Sequence, residues 1–217
     1  MLIKDVVSPE MLNIIKILQN DILFRNHFLA GGTALAFQIG HRTSTDIDLF
    51  TFEKQDNYIF SEYFLKNFNN CNISISTDEF MQVFINNIKI ELVHDDHKMI
   101  KEPIIDEDIK MFDKNEISAM KLKAIQGRTK ARDFIDLAYL LKEIPLKNIF
   151  EIYKEKYGNI SSKLIKRTII TKCRSIENND WLIGIKMIKN DIKPENVLKF
   201  LEKQIEDYNN EINVGLH

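Results

Sequence analysis

Apolar residues recur along this chain first at helical spacing, then at strand spacing, then at helical spacing again, and those changes of period divide it. "SPEMLNIIKILQND" sets Met11, Leu12, Ile14, Ile15 and Leu18 at helical intervals behind Ser8, a capping residue, and Pro9, whose fixed φ suits a first helical position. The spacing predicts an opening helix. "HFLAGGTALAFQIG" reads as a short strand, a Gly-Gly turn and a second helix over roughly 33–39, with Gly40 as its stop. "STDIDLFTF" follows as a strand, with Asp46 and Asp48 on one face and Ile47, Leu49 and, less cleanly, Phe50 on the apolar side. Another helix is expected near 57–68. "NISIS" and "FMQVFINNIKIELV" then alternate with period two, and Asn86-Asn87 stands where a two-residue hairpin turn belongs. From residue 115 onward only helical periods remain, through "NEISAMKLKAIQG", "KARDFIDLAYLLKEI", "LKNIFEIYKEKYG", "SSKLIKRTIITKCRSIE" and "KPENVLKFLEKQIEDYNNEI". The expected fold class is α/β: a small mixed β-sheet with packed helices over residues 1–112, then a helical domain over 113–217.

Composition narrows the picture without changing it. With 44% hydrophobic residues in 217, the chain has material for a sizeable core. Only 4 Pro and 7 Gly occur, with no repeat or low-complexity tract, so no long disordered linker is expected. A net charge of −2 gives no general basic field, and any contact with nucleic acid has to come from a local patch. Cys71 and Cys173 lie far apart and form neither a disulfide framework nor a zinc motif, which favours a reducing compartment. "MLIKDVVSPE" has early charges and no apolar run, so the expectation is a soluble cytoplasmic protein with no membrane association.

The candidate chemistry sits in "GGTALAFQIGHRTSTDIDLF". Two carboxylates at i and i+2 of a strand project from one face, where their repulsion calls for a cation. Oxygen ligands suit Mg²⁺, which takes one or two carboxylates and leaves other positions to water and substrate phosphates. Upstream, Gly31, Gly32 and Thr33 open a helix, whose first N–H groups and Thr hydroxyl are placed to receive an anion. A phosphate cradle followed by a metal-holding Asp-x-Asp strand suits a nucleoside triphosphate bound through its phosphates and Mg²⁺.

This stretch resembles the signature of the polymerase β-like nucleotidyltransferases. Its "GHR", "S" and "DIDLF" resemble one branch, the AbiEii/AbiGii-type nucleotidyltransferase toxins of abortive-infection and toxin–antitoxin systems. "MKLKAIQGRTKARDFIDLAYLL" is similar to that branch's downstream motif of a Lys, an Arg, then Arg-Asp-x-x-Asp. The two motifs span about a fifth of the chain. The resemblance implies that Gly31, Gly32 and Thr33 contact the triphosphate, that Asp46 and Asp48 hold Mg²⁺, and that Lys121 and Asp133 of the helical domain contribute to the cleft. By its residue type Lys121 is a point charge suited to a phosphate, and Asp136 is expected to point more toward solvent. Arg42 and Ser44, in the loop before the Asp-x-Asp strand, either touch phosphates or shape the loop. Superfamily members often carry a third carboxylate on a neighbouring strand; in "NNIKIELVHDD" Ile88, Ile90 and Leu92 form one face and Lys89, Glu91 and Val93 the other, making Glu91 the candidate.

Weaker features complete the reading. "HDDH" at 94–97 is read as a polar loop, and His27 and His41 flank the glycine helix as candidate bases. Lys163, Lys166, Arg167 and Arg174, with Lys123, Arg128, Lys130 and Arg132, make two basic patches able to hold an RNA backbone. The expected reaction is transfer of a nucleoside monophosphate from an NTP to an acceptor hydroxyl, with one or two Mg²⁺ ions held by Asp46, Asp48 and Glu91. The resemblance implies an RNA acceptor such as a tRNA 3′ end, and a toxin restrained by a cognate antitoxin. Two alternatives stand beside it: an acceptor that is a protein or an aminoglycoside-like small molecule, and a nucleotide-binding regulatory module without catalysis.

Overall fold

The computed structural model describes residues 2–177 and 180–214. The chain forms two compact units, Met1–Asp113 and Lys114–His217. The first is built on a seven-stranded mixed sheet of β1 (Phe28–Leu29), β2 (Asp46–Thr51), β3 (Cys71–Ser76), β4 (Phe80–Ile85), β5 (Ile88–His94), β6 (Ile104–Asp106) and β7 (Ile109–Met111). Their order is β3-β4-β5-β2-β1-β7-β6, with β2 parallel to β5, β1 parallel to β7, and the other neighbours antiparallel. Chemistry-bearing β2 therefore lies inside the sheet, flanked by β5 and β1.

Three helices accompany the sheet: α1 (Pro9–Asn20), α2 (Gly31–Ile39) and α3 (Asn57–Asn67). Ser8 caps α1 by accepting from the Met11 N–H at 3.1 Å, and Met11, Ile14, Ile15 and Leu18 are buried as their spacing requires. Helix α2 buries almost every position from Thr33 to Ile39 and ends on Gly40 in the left-handed conformation. It begins two residues earlier than its sequence implies, so both glycines belong to its first turn. In β2 burial alternates strictly: Ile47, Leu49 and Thr51 face the core, while Phe50 shares the face of Asp46 and Asp48. Asn86 and Asn87 both adopt positive φ, as a tight hairpin between β4 and β5 demands.

The β6–β7 hairpin has no counterpart in the sequence reading. Strands of three residues, "IID" and "IKM", are too short to display a period.

The second unit is helical: α4 (Lys114–Gly127), α5 (Ala131–Leu140), α6 (Leu146–Tyr157), α7 (Ser162–Arg174) and α8 (Val197–Val214), the last preceded by a short 3₁₀ turn opened by Pro194. Ile165, Ile169 and Cys173 form the buried stripe of α7. No helix among the described residues is long and apolar enough to cross a membrane.

Candidate active site

Parallel pairing of β2 with β5 sets Asp46 opposite Lys89 and Asp48 opposite Glu91 on one face of the sheet. Lys89 lies among the carboxylates: its Nζ donates to Glu91 Oε1 at 2.7 Å and stands 3.5 Å from Asp46 Oδ2. Gln82, the β4 residue opposite Glu91, donates from Nε2 to the same Glu91 oxygen at 3.0 Å. Burial, then the nearby charge of Glu91, pushes the Asp48 carboxyl up to about 6, with Asp46 adding to the effect and Lys89 opposing it. Burial also works against the charge of Glu91, but the hydrogen bonds and charge of Lys89, helped by Gln82, prevail and hold Glu91 below the usual carboxylate range. Burial opposes the charge of Lys89 in turn, and the surrounding carboxylates hold it above the usual range.

Helix α2 brings its glycines against these acids. Gly31 has φ +63°, and a Cβ built there would lie 2.1 Å from Asp48 Oδ2, so only glycine permits both the backbone conformation and the close carboxylate. The Ala30 N–H donates to the Asp48 carbonyl at 2.8 Å and locks the turn to β2. The N–H groups of Gly31, Gly32 and Thr33 occupy a first turn that offers them no intrahelical acceptor.

Thr33 and the loop residues do something other than reach outward. Thr33 is buried; its hydroxyl hydrogen-bonds the Ser44 hydroxyl at 2.8 Å and also meets the Asp46 carbonyl oxygen. It therefore ties α2 to the start of β2 instead of facing an anion. Arg42 is only 1% exposed, with its guanidinium packed on Gly32, where a Cβ would lie 2.3 Å from Nη2. Its Nη1 donates to the Thr43 carbonyl at 2.9 Å. Of the two openings the sequence allows for Arg42 and Ser44, these contacts favour shaping the loop.

Lys121 and Asp133 belong to the helical unit. Lys121 is buried, its Nζ 3.0 Å from Asp133 Oδ1 and 2.6 Å from Asp136 Oδ2. Arg128 grips Asp133 with two bonds, Nε to Oδ2 at 2.8 Å and Nη2 to Oδ1 at 3.1 Å. Burial works against the charge of Asp133, but Lys121 and Arg128 hold its carboxyl below the usual range. Asp136 is fully buried, contrary to the expectation that it points more toward solvent, because the Lys121 ammonium requires a second counter-charge in that interior. Lys121 is correspondingly an enclosed, paired ammonium and not an open point charge.

Among the weaker candidates, His27 and His41 are buried, and burial lowers the His27 pKa against the opposing hydrogen bond of Gln55. His94 closes β5 where the sequence predicts loop, and beyond it Asp95 engages both the His97 ring and its N–H. The basic patches are partly consumed: Lys166 bonds Asn209, Arg174 bonds Glu202, and Arg128 holds Asp133. Lys89 and Gln82 are the site residues that the sequence reading missed. Both stood on the right face of strands already identified, but their proximity to the acids depends on strand order.

Three side-chain carboxylates on adjacent strands thus lie beside the glycine turn that opens α2. The family model described as "Nucleotidyl transferase AbiEii toxin, Type IV TA system" matches residues 16–208. The chain belongs to that family. It is thus a nucleotidyltransferase of the AbiEii toxin type. A protein of Aquifex aeolicus (strain VF5), described as uncharacterized protein aq_aa25, is 28% identical over 200 residues, covering 83% of this chain and 87% of that one. Among solved structures, JHP933 from Helicobacter pylori is similar with a TM-score of 0.52 at 19% identity, covering 97% of this chain and 100% of that one. The nucleotidyltransferase toxin MenT4 from Mycobacterium tuberculosis H37Rv is similar with a TM-score of 0.53 at 14% identity, covering 89% and 82%. At these identities the structures speak to the fold, which this AbiEii-family chain shares with them.

Proposed function

We propose that this AbiEii-family nucleotidyltransferase transfers a nucleoside monophosphate from an NTP to a hydroxyl of RNA, using Mg²⁺, and that it acts as a toxin restrained by a cognate antitoxin. The observation that carries the reading is the β2–β5 register, which lines up Asp46, Asp48 and Glu91 beside the Gly31 turn. Among the described residues no group of three His, Cys, Asp or Glu side chains forms a ready-made metal cage, and Lys89 holds the intervening space. The donor set nonetheless fits a hard cation: the acids are oxygen ligands, and an Asp48 carboxyl pushed up to about 6 is relieved by added positive charge.

In this reading Asp46, Asp48 and Glu91 are the residues that would hold Mg²⁺. Such an ion would supply positive charge to offset the triphosphate and to lower the pKa of the attacking hydroxyl. Backbone N–H groups of Gly31 and Gly32 hold the leaving phosphates, with Thr33, Ser44 and Arg42 fixing the turn that presents them. The acceptor oxygen bonds to the α-phosphorus, the bond to the bridging oxygen breaks, pyrophosphate leaves, and the hydroxyl proton passes to solvent. Lys121 and Asp133 are assigned on the family motif; as a fixed ion pair they are positioning residues. The test is incubation of the pure protein with Mg²⁺, each labelled NTP in turn, and total RNA. Label entering RNA is the expected result. Label entering protein alone, or a small molecule alone, overturns the RNA acceptor, and no transfer to any acceptor overturns the catalytic reading.

A further inference from the structure

Beyond Asp46 the sheet register extends a single row across four strands. Asp46 on β2 faces Lys89 on β5, Lys89 faces Phe84 on β4, and Phe84 faces Asn72 on β3. All four lie on the less buried face, because β4 buries Met81, Val83 and Ile85 and leaves Phe80, Gln82 and Phe84 half-buried. At roughly 4.8 Å between strands, Phe84 stands about 10 Å from Asp46. Around its ring opens a shallow pocket of about 460 Å³ lined by Asn70, Asn72, Phe84, Asn86 and Asn87. An aromatic plate rimmed by four neutral amides is unusual beside a site so rich in charge.

We propose that this pocket is a nucleobase subsite for a single-stranded RNA acceptor, with the base stacked on Phe84 and its edge met by Asn72 and Asn87. The inference rests on the RNA acceptor reading and adds where the acceptor lies. Direction comes from the order of parts. The glycine turn meets Asp48 on the β1 side, and Glu91, Gln82 and Phe84 follow on the opposite side. Phosphates seated at the glycine turn leave the β5–β4–β3 face for the attacking strand.

The chemistry fits a base better than other groups. An aromatic ring stacks on any base face, and an amide supplies both a donor and an acceptor, so the pair holds a base without choosing sharply among bases. No charged side chain lines the pocket, which disfavours a phosphate and suits the neutral part of a nucleotide. Asn70 and Asn86 are already bonded, Asn70 Nδ2 donating to Asn86 Oδ1 at 2.9 Å and Asn86 Nδ2 donating to Glu10 at 2.7 Å, and together they brace the rim. Asn72 and Asn87 are exposed, and Asn72 stands directly opposite Phe84 in the β3–β4 register. The volume falls in the range of small-ligand pockets, about 300–1,000 Å³. Lys89, between Phe84 and Asp46, stands where the nucleotide's own backbone would pass on its way to the carboxylates.

The probe is a mixed-sequence single-stranded RNA oligonucleotide, labelled at its 5′ end and ending in a 3′-hydroxyl, followed by fluorescence anisotropy with the full chain. A second oligonucleotide lacks only the base of its 3′-terminal nucleotide. Phe84→Ala is expected to weaken binding of the intact RNA about tenfold, Phe84→Trp to preserve it, and loss of the terminal base to weaken the wild type by a similar factor. Phe84→Ala combined with the base-lacking RNA should cost no more than either change alone, since both remove the same contact. NTP affinity, measured separately by calorimetry, should be equal in wild type and Phe84→Ala. Additive losses, or equal binding of intact RNA by wild type and Phe84→Ala, overturn the subsite while leaving RNA transfer standing. Failure of the wild type to bind RNA at all overturns both.

Discussion

Replacing Asp48 by Asn should stabilise the metal-free protein while abolishing transfer. In the folded chain the Asp48 carboxyl is raised from 3.8 to about 6, first by burial and then by the charge of Glu91. A shift of roughly two units corresponds to about 3 kcal/mol. For an acid raised on folding, the native state binds more protons than the unfolded chain between the two values, so this group's stability contribution is present below the lower value and lost as pH rises through about 6. Asparagine mimics the protonated acid, since its amide can donate toward Glu91 as the carboxyl does, yet it never ionises. At about pH 7.5 without metal the variant should therefore melt higher than wild type, by roughly 6–12 °C for a chain of this size, and the gap should narrow to about a third of that at about pH 4.5. Added Mg²⁺ should raise the melting temperature of wild type and leave the variant nearly unmoved. Thermal melts at the two pH values, each with chelator and with Mg²⁺, give the answer. A variant less stable than wild type at neutral pH without metal, or a gap that does not depend on pH, would refute the reasoning.

Glu91→Gln keeps the shape of the side chain but removes the charge that holds Lys89 and, in the proposed reaction, a metal. Turnover should fall by orders of magnitude while NTP binding persists, a split visible by comparing steady-state kinetics with calorimetry, and wild-type turnover would remove Glu91 from the site. Lys121→Met leaves Asp133 and Asp136 buried with fewer counter-charges, at a cost of about 3–5 kcal/mol. Urea denaturation followed by circular dichroism should show that loss, whereas unchanged stability would mean that the lysine is not the counter-ion these distances describe.

Much of this molecule was written in local sequence pattern. The helices α1 and α4 to α8, the alternation of β2, β4 and β5, and the Asn86-Asn87 turn all follow from periods and turn residues that need no distant partner. The glycine pair and the Asp-x-Asp strand were equally legible, because each sets its geometry within a few residues of backbone. Periodicity also placed Lys89 and Glu91 on one face of β5. It could not say which strand lies alongside, and that decided the site: only the parallel pairing with β2 turns Glu91 into a neighbour of Asp48 and Lys89 into a neighbour of Asp46. Burial of charge is decided in the same way. Arg42, Lys121 and Asp136 look like surface residues in the sequence, since a charge is ordinarily left in water. They are buried because the fold supplies what neutralises or encloses them, the Gly32 turn and Thr43 carbonyl for Arg42, and one another for Lys121 and Asp136. Strand partners and counter-charges are chosen across long stretches of chain, so the elements were set by the sequence near at hand and the chemistry of the site by the tertiary structure that brings them together.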